Sequence, residues 1–134
     1  MFSSFILATP EQDAEVKFFE ILTNCMKEYA LTEDDINKLK DLALPTGANS
    51  PCYMACVMKQ FGVMDDSGMV RANIDAEKAK PLVKDPEGLN KLDGYLETCS
   101  YVNNESVSDG EKGCDRAVLF YKCMMENDIK IFQF

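Results

Sequence analysis

The chain has 134 residues, a formal charge of -9 and a pI near 4.5, a size that suits one domain and a charge that excludes the basic footprint needed for nucleic acid or an anionic membrane surface. Six cysteines and no histidine exclude imidazole-dependent catalysis and histidine metal sites. With no Cys-x-x-Cys pair, the even cysteine count points to disulfides formed in an oxidising, extracellular compartment. No stretch reaches the roughly 20 apolar residues of a membrane span, so membrane insertion is not expected. Met1 to Ala8 lacks the basic region and the apolar length of a signal peptide, and the chain is expected to be a mature secreted form.

Thr9-Pro10-Glu11-Gln12 reads as a helix start, with Thr9 as cap, proline at the first helical position and Gln12 at the capping-box position. This helix should run to about Tyr29, with Phe18, Phe19, Ile21, Leu22, Cys25, Met26 and Tyr29 on one broad face. Thr32 followed by Glu33, Asp34 and Asp35 opens a second helix, a cap with acids in the turn where the helix dipole favours them. It should extend to about Leu44, where Pro45 stops it.

The stretch Pro51 to Phe61 predicts a helix buried on two sides: Cys52 and Cys56 lie one turn apart on one side, and Met54, Val57, Met58 and Phe61 gather on the other. A helix tied through sulfur on one face and apolar on the opposite one belongs at the centre of a small bundle. Ser50-Pro51 caps it and Gly62 ends it. Asp65 to Gly68 is a turn by composition. Asp75 to Lys84 predicts a short helix strained by Pro81, and Asp85-Pro86-Glu87 starts another that reaches about Tyr101 with Leu89, Leu92, Tyr95, Leu96 and Cys99 along one side. Asn103 to Gly110 is a polar loop containing the glycosylation-type triplet Asn104-Glu105-Ser106. The last helix should span about Glu111 to Asn127, with Cys114, Ala117, Val118, Tyr121, Met124 and Met125 on one face and Leu119, Phe120 and Cys123 on the other. No alternating strand pattern of useful length occurs, so the fold class is all-α.

Six cysteines allow 15 pairings. A bond between Cys52 and Cys56 would distort their helix, and Cys114 and Cys123 would stand roughly 13 Å apart along theirs. Excluding both leaves ten pairings open. In all of them Cys52 and Cys56 reach different partners, which cross-links three elements through one helix.

The cysteine spacing, from Cys25 through Cys52, Cys56, Cys99 and Cys114 to Cys123, resembles that of the six-cysteine insect odorant-binding proteins, the family that includes the pheromone-binding proteins. The likeness covers almost the whole chain. It implies six helices stapled around a hydrophobic cavity in one domain, residues 1–134, with bonds Cys25–Cys56, Cys52–Cys114 and Cys99–Cys123. It also implies a soluble extracellular carrier of odorants or pheromones, in sensory lymph if olfactory, as a monomer or weak homodimer with a membrane odorant receptor as a further partner.

After Cys123 the residues 124–134 end in Ile129, Ile131, Phe132 and Phe134, too apolar for a free tail, so this segment is expected to fold back on the bundle. The resemblance gives Ile131, Phe132 and Phe134 the role of a wall or lid closing the cavity. A terminal carboxylate brought in this way needs a donor, and Tyr53, Lys27 and Arg116 are the candidates. The remaining lining candidates are Phe19, Leu22, Met26, Tyr53, Met54, Val57, Met58, Phe61, Leu92, Leu96, Val118, Tyr121 and Met124. The methionines among them are flexible and adapt to varied shapes, although each residue is equally explicable as filled core. Asp65/Asp66 and Glu15/Glu20 read as solvated surface charges, so no catalytic residues, metal or cofactor are expected and the chain is not read as an enzyme. Two alternatives stay open: a secreted interaction protein with a filled core, and a carrier of a non-odorant lipid or hormone. Without histidine, release of a ligand by mild acid would fall to a carboxyl group of raised pKa or to the chain's own terminus.

Overall fold

Capping chemistry decides where the backbone is helical. The computed structural model describes residues 10–131, with side chains from Asp13 onward, and Phe132 and Phe134 lie outside the described residues. Five α-helices occur among them: α1 Pro10–Glu28, α2 Glu33–Lys40, α3 Ser50–Gln60, α4 Pro86–Thr98 and α5 Cys114–Glu126, with 3₁₀ turns at Ser100–Asn104 and Gly110–Lys112. At the start of α2 the Thr32 hydroxyl accepts from the Asp35 N–H while the Asp35 carboxylate accepts from the Thr32 N–H, a complete capping box. Asp85 caps α4 by accepting from the Gly88 N–H at 2.6 Å.

The sixth helix, expected at Asp75 to Lys84, is a run of turns instead. Ala79 N–H reaches back to the Asp75 carbonyl at 2.9 Å, forming a single helical turn. Pro81 has no N–H with which to continue it, and the chain closes through bonds from Leu82 and Val83 to the Ala79 carbonyl. Helix α2 is also shorter than expected. Leu42 takes a left-handed conformation with φ 59°, and the Ala43 N–H returns to the Lys38 carbonyl at 2.7 Å, a helix-ending geometry usually built with glycine. Among the described residues the β content is one isolated antiparallel bridge between Met64 and Val70.

Helix α3 packs against both α1 and α5, and sulfur bonds follow the same contacts. Cys25–Cys56 joins α1 to α3, Cys52–Cys114 joins α3 to α5, and Cys99–Cys123 ties the end of α4 to α5. This is the pairing that the family resemblance implied. One continuous core holds Met54, Val57, Met58 and Phe61 of α3 together with Ile21 and Leu22 of α1, Leu92 and Leu96 of α4, and Phe120 and Met124 of α5.

Two charges are buried with it. Arg116 donates to the carbonyls of Val102, Gly68 and Glu105 at 3.1, 3.4 and 3.0 Å, so it pins the end of the first 3₁₀ turn and the turn at Gly68 to α5 and is not free to meet a chain terminus. Asp35 accepts from the Gly47 N–H at 2.9 Å and thereby fixes the α2–α3 loop. A Cβ placed at Gly47 would overlap the Asp35 carboxylate, which explains glycine there.

Candidate functional site

The end of α5 and the residues that follow it frame a candidate site. The helix stops at Glu126, Asp128 adopts φ 55°, and the Ile129 N–H bonds back to the Met124 carbonyl at 2.8 Å. The left-handed step reverses the chain, and Ile129 and Ile131 pack on the core instead of projecting into water. Below them lies a pocket of about 140 Å³ lined by Leu42, Tyr121, Met124, Met125, Asp128, Ile129, Lys130 and Ile131. Its walls are mainly apolar, while Asp128 and Lys130 sit at the solvent edge, bridged at 3.6 Å.

Tyr121 ties this pocket to the α2–α3 loop. Its hydroxyl donates to the Ala43 carbonyl at 3.3 Å, and partial burial raises its pKa. The left-handed Leu42 that ends α2 supplies the facing wall. Nothing local in the sequence marks Leu42 as a wall residue, because its position depends on a backbone conformation that leucine rarely takes.

Of the expected lining residues, Tyr121, Met124 and Ile131 meet at this pocket. Leu22, Tyr53, Met54, Val57, Met58, Phe61, Leu92 and Leu96 lie in the closely packed core behind it, and Met26 and Val118 are half-buried against that core. Burial pushes the Tyr53 hydroxyl up to about 12, so it stays neutral at any physiological pH. Phe19 is 56% exposed and borders a separate outer groove. Adjacent side chains on a helix diverge by about 100°, and Phe18 takes the inward position, its ring 5.3 Å from that of Phe61.

Among the described residues no group of three or more acidic or sulfur side chains is arranged to hold a metal ion, and no helix is long and apolar enough to cross a membrane. Among the described residues the carboxylates whose pKa is displaced, Asp35, Asp65 and Asp115, are all held low. Burial acts to raise the first two and is outweighed by hydrogen bonds from nearby N–H and hydroxyl groups. For Asp115 the Ser108 hydroxyl and N–H lower the pKa.

Comparison with known proteins agrees with this architecture. General odorant-binding protein 19d of Drosophila melanogaster is 29% identical over 107 residues, covering 80% of this chain and 69% of that protein. General odorant-binding protein 28a of the same species is 27% identical over 122 residues, covering 90% of this chain and 82% of that one. The solved structure of an odorant-binding protein, OBP28a of Drosophila melanogaster, superimposes with a TM-score of 0.60 at 23% identity, over 91% of this chain and 99% of that one. Residues 8–127 match the model of the PBP/GOBP family, and with its three disulfides closed on an all-helical bundle, the chain belongs to that family.

Proposed function

We propose that this protein is a soluble, extracellular carrier of small hydrophobic molecules, odorants or pheromones among them, held without a covalent bond in the apolar space beneath the C-terminal segment. The observation that carries the proposal is the pocket of about 140 Å³ between Tyr121, Met124 and the returning tail, set on a frame that three disulfides brace. A guest that covers these apolar walls removes them from water, worth about 25 cal/mol per Å² of apolar area buried. An engineered cavity of roughly 150 Å³ accepts benzene, so a guest of about that size fits as the walls stand, and a longer one requires the 127–131 segment to swing outward. Residues 124–134 act in this reading as the closing wall, and the three bonds hold the helices while that wall moves.

Displacement of a fluorescent apolar probe tests the proposal. The carrier takes up one probe saturably, short aliphatic alcohols and esters displace it, and Met125→Trp, at a half-buried lining position, removes uptake while the variant keeps a cooperative unfolding transition.

A second reading has a specific observation behind it. Met58, Phe61 and Leu96 are 1%, 0% and 0% exposed, which is the packing of a filled core and suits a secreted interaction protein on the same scaffold. Absence of saturable probe uptake selects that reading.

A further inference from the structure

We propose that Asn104 is an attachment site for an N-linked glycan and that the ring of Tyr101 seats its first sugar. The triplet Asn104-Glu105-Ser106 has the acceptor form, with a residue other than proline in the middle. No other asparagine of the chain is followed two positions later by serine or threonine. The transferase that reads this form works on chains entering the secretory route, so the site depends on the extracellular reading above.

The fold leaves the triplet open to modification. All three residues are exposed, and among the described residues nothing bonds the Asn104 amide or the Ser106 hydroxyl. Asparagine side chains in turns commonly bond nearby backbone, and Asn103 is engaged in that way: it donates to the Val70 carbonyl and accepts from the Val70 N–H, both at 2.9 Å. Asn104 takes no part in that exchange. Arg116 holds the carbonyls of Val102 and Glu105 at 3.1 and 3.0 Å, which fixes the backbone on both sides of Asn104 without using its side chain. Glu105 then turns extended, with φ -82° and ψ 146°, and leads the acceptor out of the 3₁₀ turn as an open segment.

Tyr101 supplies a second observation. It is 49% exposed and lies three residues before Asn104 in the same 3₁₀ turn, Ser100–Asn104. Side chains three apart eclipse in a 3₁₀ helix, so the ring and the acceptor amide share one face. A lone exposed aromatic needs no explanation, but one in register with an acceptor can cover the C–H face of the attached pyranose and take apolar area of both from water.

The transfer balances with a polyisoprenoid-diphosphate oligosaccharide as donor. The Asn104 amide nitrogen bonds to the anomeric carbon as the bond from that carbon to the diphosphate oxygen breaks. The diphosphate leaves with the electron pair, and one amide proton passes to the base of the transferase. The product is a bulky, solubilising surface group on an otherwise unchanged backbone.

Intact-mass spectrometry of the whole chain, secreted from insect cells behind a cleavable leader, tests the proposal. Wild type should exceed its sequence mass and fall back on treatment with peptide-N-glycosidase, which in heavy-oxygen water leaves a labelled aspartate at position 104. Asn104→Gln and Ser106→Ala should be secreted without the added mass, and Ser106→Thr should keep it. The glycan should raise the thermal midpoint by on the order of 3 °C, measured as wild type against Asn104→Gln, and the same comparison in a Tyr101→Ser background should show no gain. A secreted chain with three closed disulfides and no sugar overturns the proposal, as does added mass that persists in Asn104→Gln. An equal midpoint gain with and without Tyr101 overturns the seat assigned to its ring. A chain held inside the cell with free thiols overturns the extracellular reading and the site with it, so the two failures separate.

Discussion

Replacing Asp35 by alanine should loosen both the bundle and the pocket wall, and the size of the effect follows from its bonds. The carboxylate accepts from the Gly47 N–H at 2.9 Å and from the Thr32 N–H at 3.2 Å while itself only 2% exposed. Losing the capping interaction costs about 0.5–2 kcal/mol, and leaving the Gly47 N–H without its charged acceptor costs about 1–3 kcal/mol. Together these come to about 1.5–5 kcal/mol. With a urea m value of about 2 kcal/mol per M, the unfolding midpoint should drop by roughly 0.8–2.5 M.

Asp35 also fixes how that stability depends on pH. Its burial would raise the pKa, but donation from Gly47 and Thr32 and the charge of Lys38 prevail and hold it below the ordinary value of 3.8. A carboxylate lowered on folding contributes stability that is fully present above its unfolded pKa and is lost as pH falls through the folded one. The gap between wild type and Asp35→Ala should therefore be constant from pH 7 to about 5 and narrow only below about pH 4. Urea unfolding followed by far-ultraviolet circular dichroism across that range is the assay. A midpoint change under roughly 0.2 M at pH 7, or a gap that closes between pH 5 and 7, would refute the reasoning.

Further expectations concern other parts of the frame. Arg116→Met strands three carbonyl acceptors and should cost about 2–4 kcal/mol, read as a lower thermal midpoint. Cys52→Ser/Cys114→Ser opens a link between residues 62 apart and should lose roughly 4 kcal/mol in equilibrium unfolding. Gly113→Ala forces a side chain onto φ 73° and places its Cβ 2.6 Å from the Met64 sulfur, a change expected to cost about 2 kcal/mol or more by the same measurement. Probe affinity should stay level from pH 7.5 to about 5.5, because the displaced carboxylates among the described residues all move downward and the chain has no histidine; a fall centred near pH 6.5 in a fluorescence titration would contradict this.

The central position of α3 was legible because two signals coincide on eleven residues: cysteines one turn apart on one side and Met54, Val57, Met58 and Phe61 on the other. Periodicity of that kind reports burial directly. The buried charges left no such trace. Asp35 sits in a run of acids that reads as an ordinary capped turn, and what buries it is Gly47 on the far side of a loop. Arg116 is held by three backbone carbonyls, which have no sequence signature at all. Phe18 and Phe19 share one broad face by pattern, yet only Phe18 packs inward, because side chains one residue apart diverge by about 100° and only one of them can meet Phe61. The pocket was half legible for the same reason. Tyr121, Met124 and Ile131 follow from apolar spacing and an apolar tail, whereas Leu42 enters through a left-handed residue that ends α2 two positions beyond its last helical residue.

The central claim is that a disulfide-braced bundle admits an apolar guest beneath its C-terminal segment. Methyl NMR of the chain labelled at its eight methionines during titration with 1-hexanol tests it most directly. Saturable shifts are expected at Met124 and Met125, which line the pocket, with Met54 and Met58 in the packed core nearly still. Unmoved Met124 and Met125 signals, or shifts that grow linearly without saturation at every methionine, would contradict it.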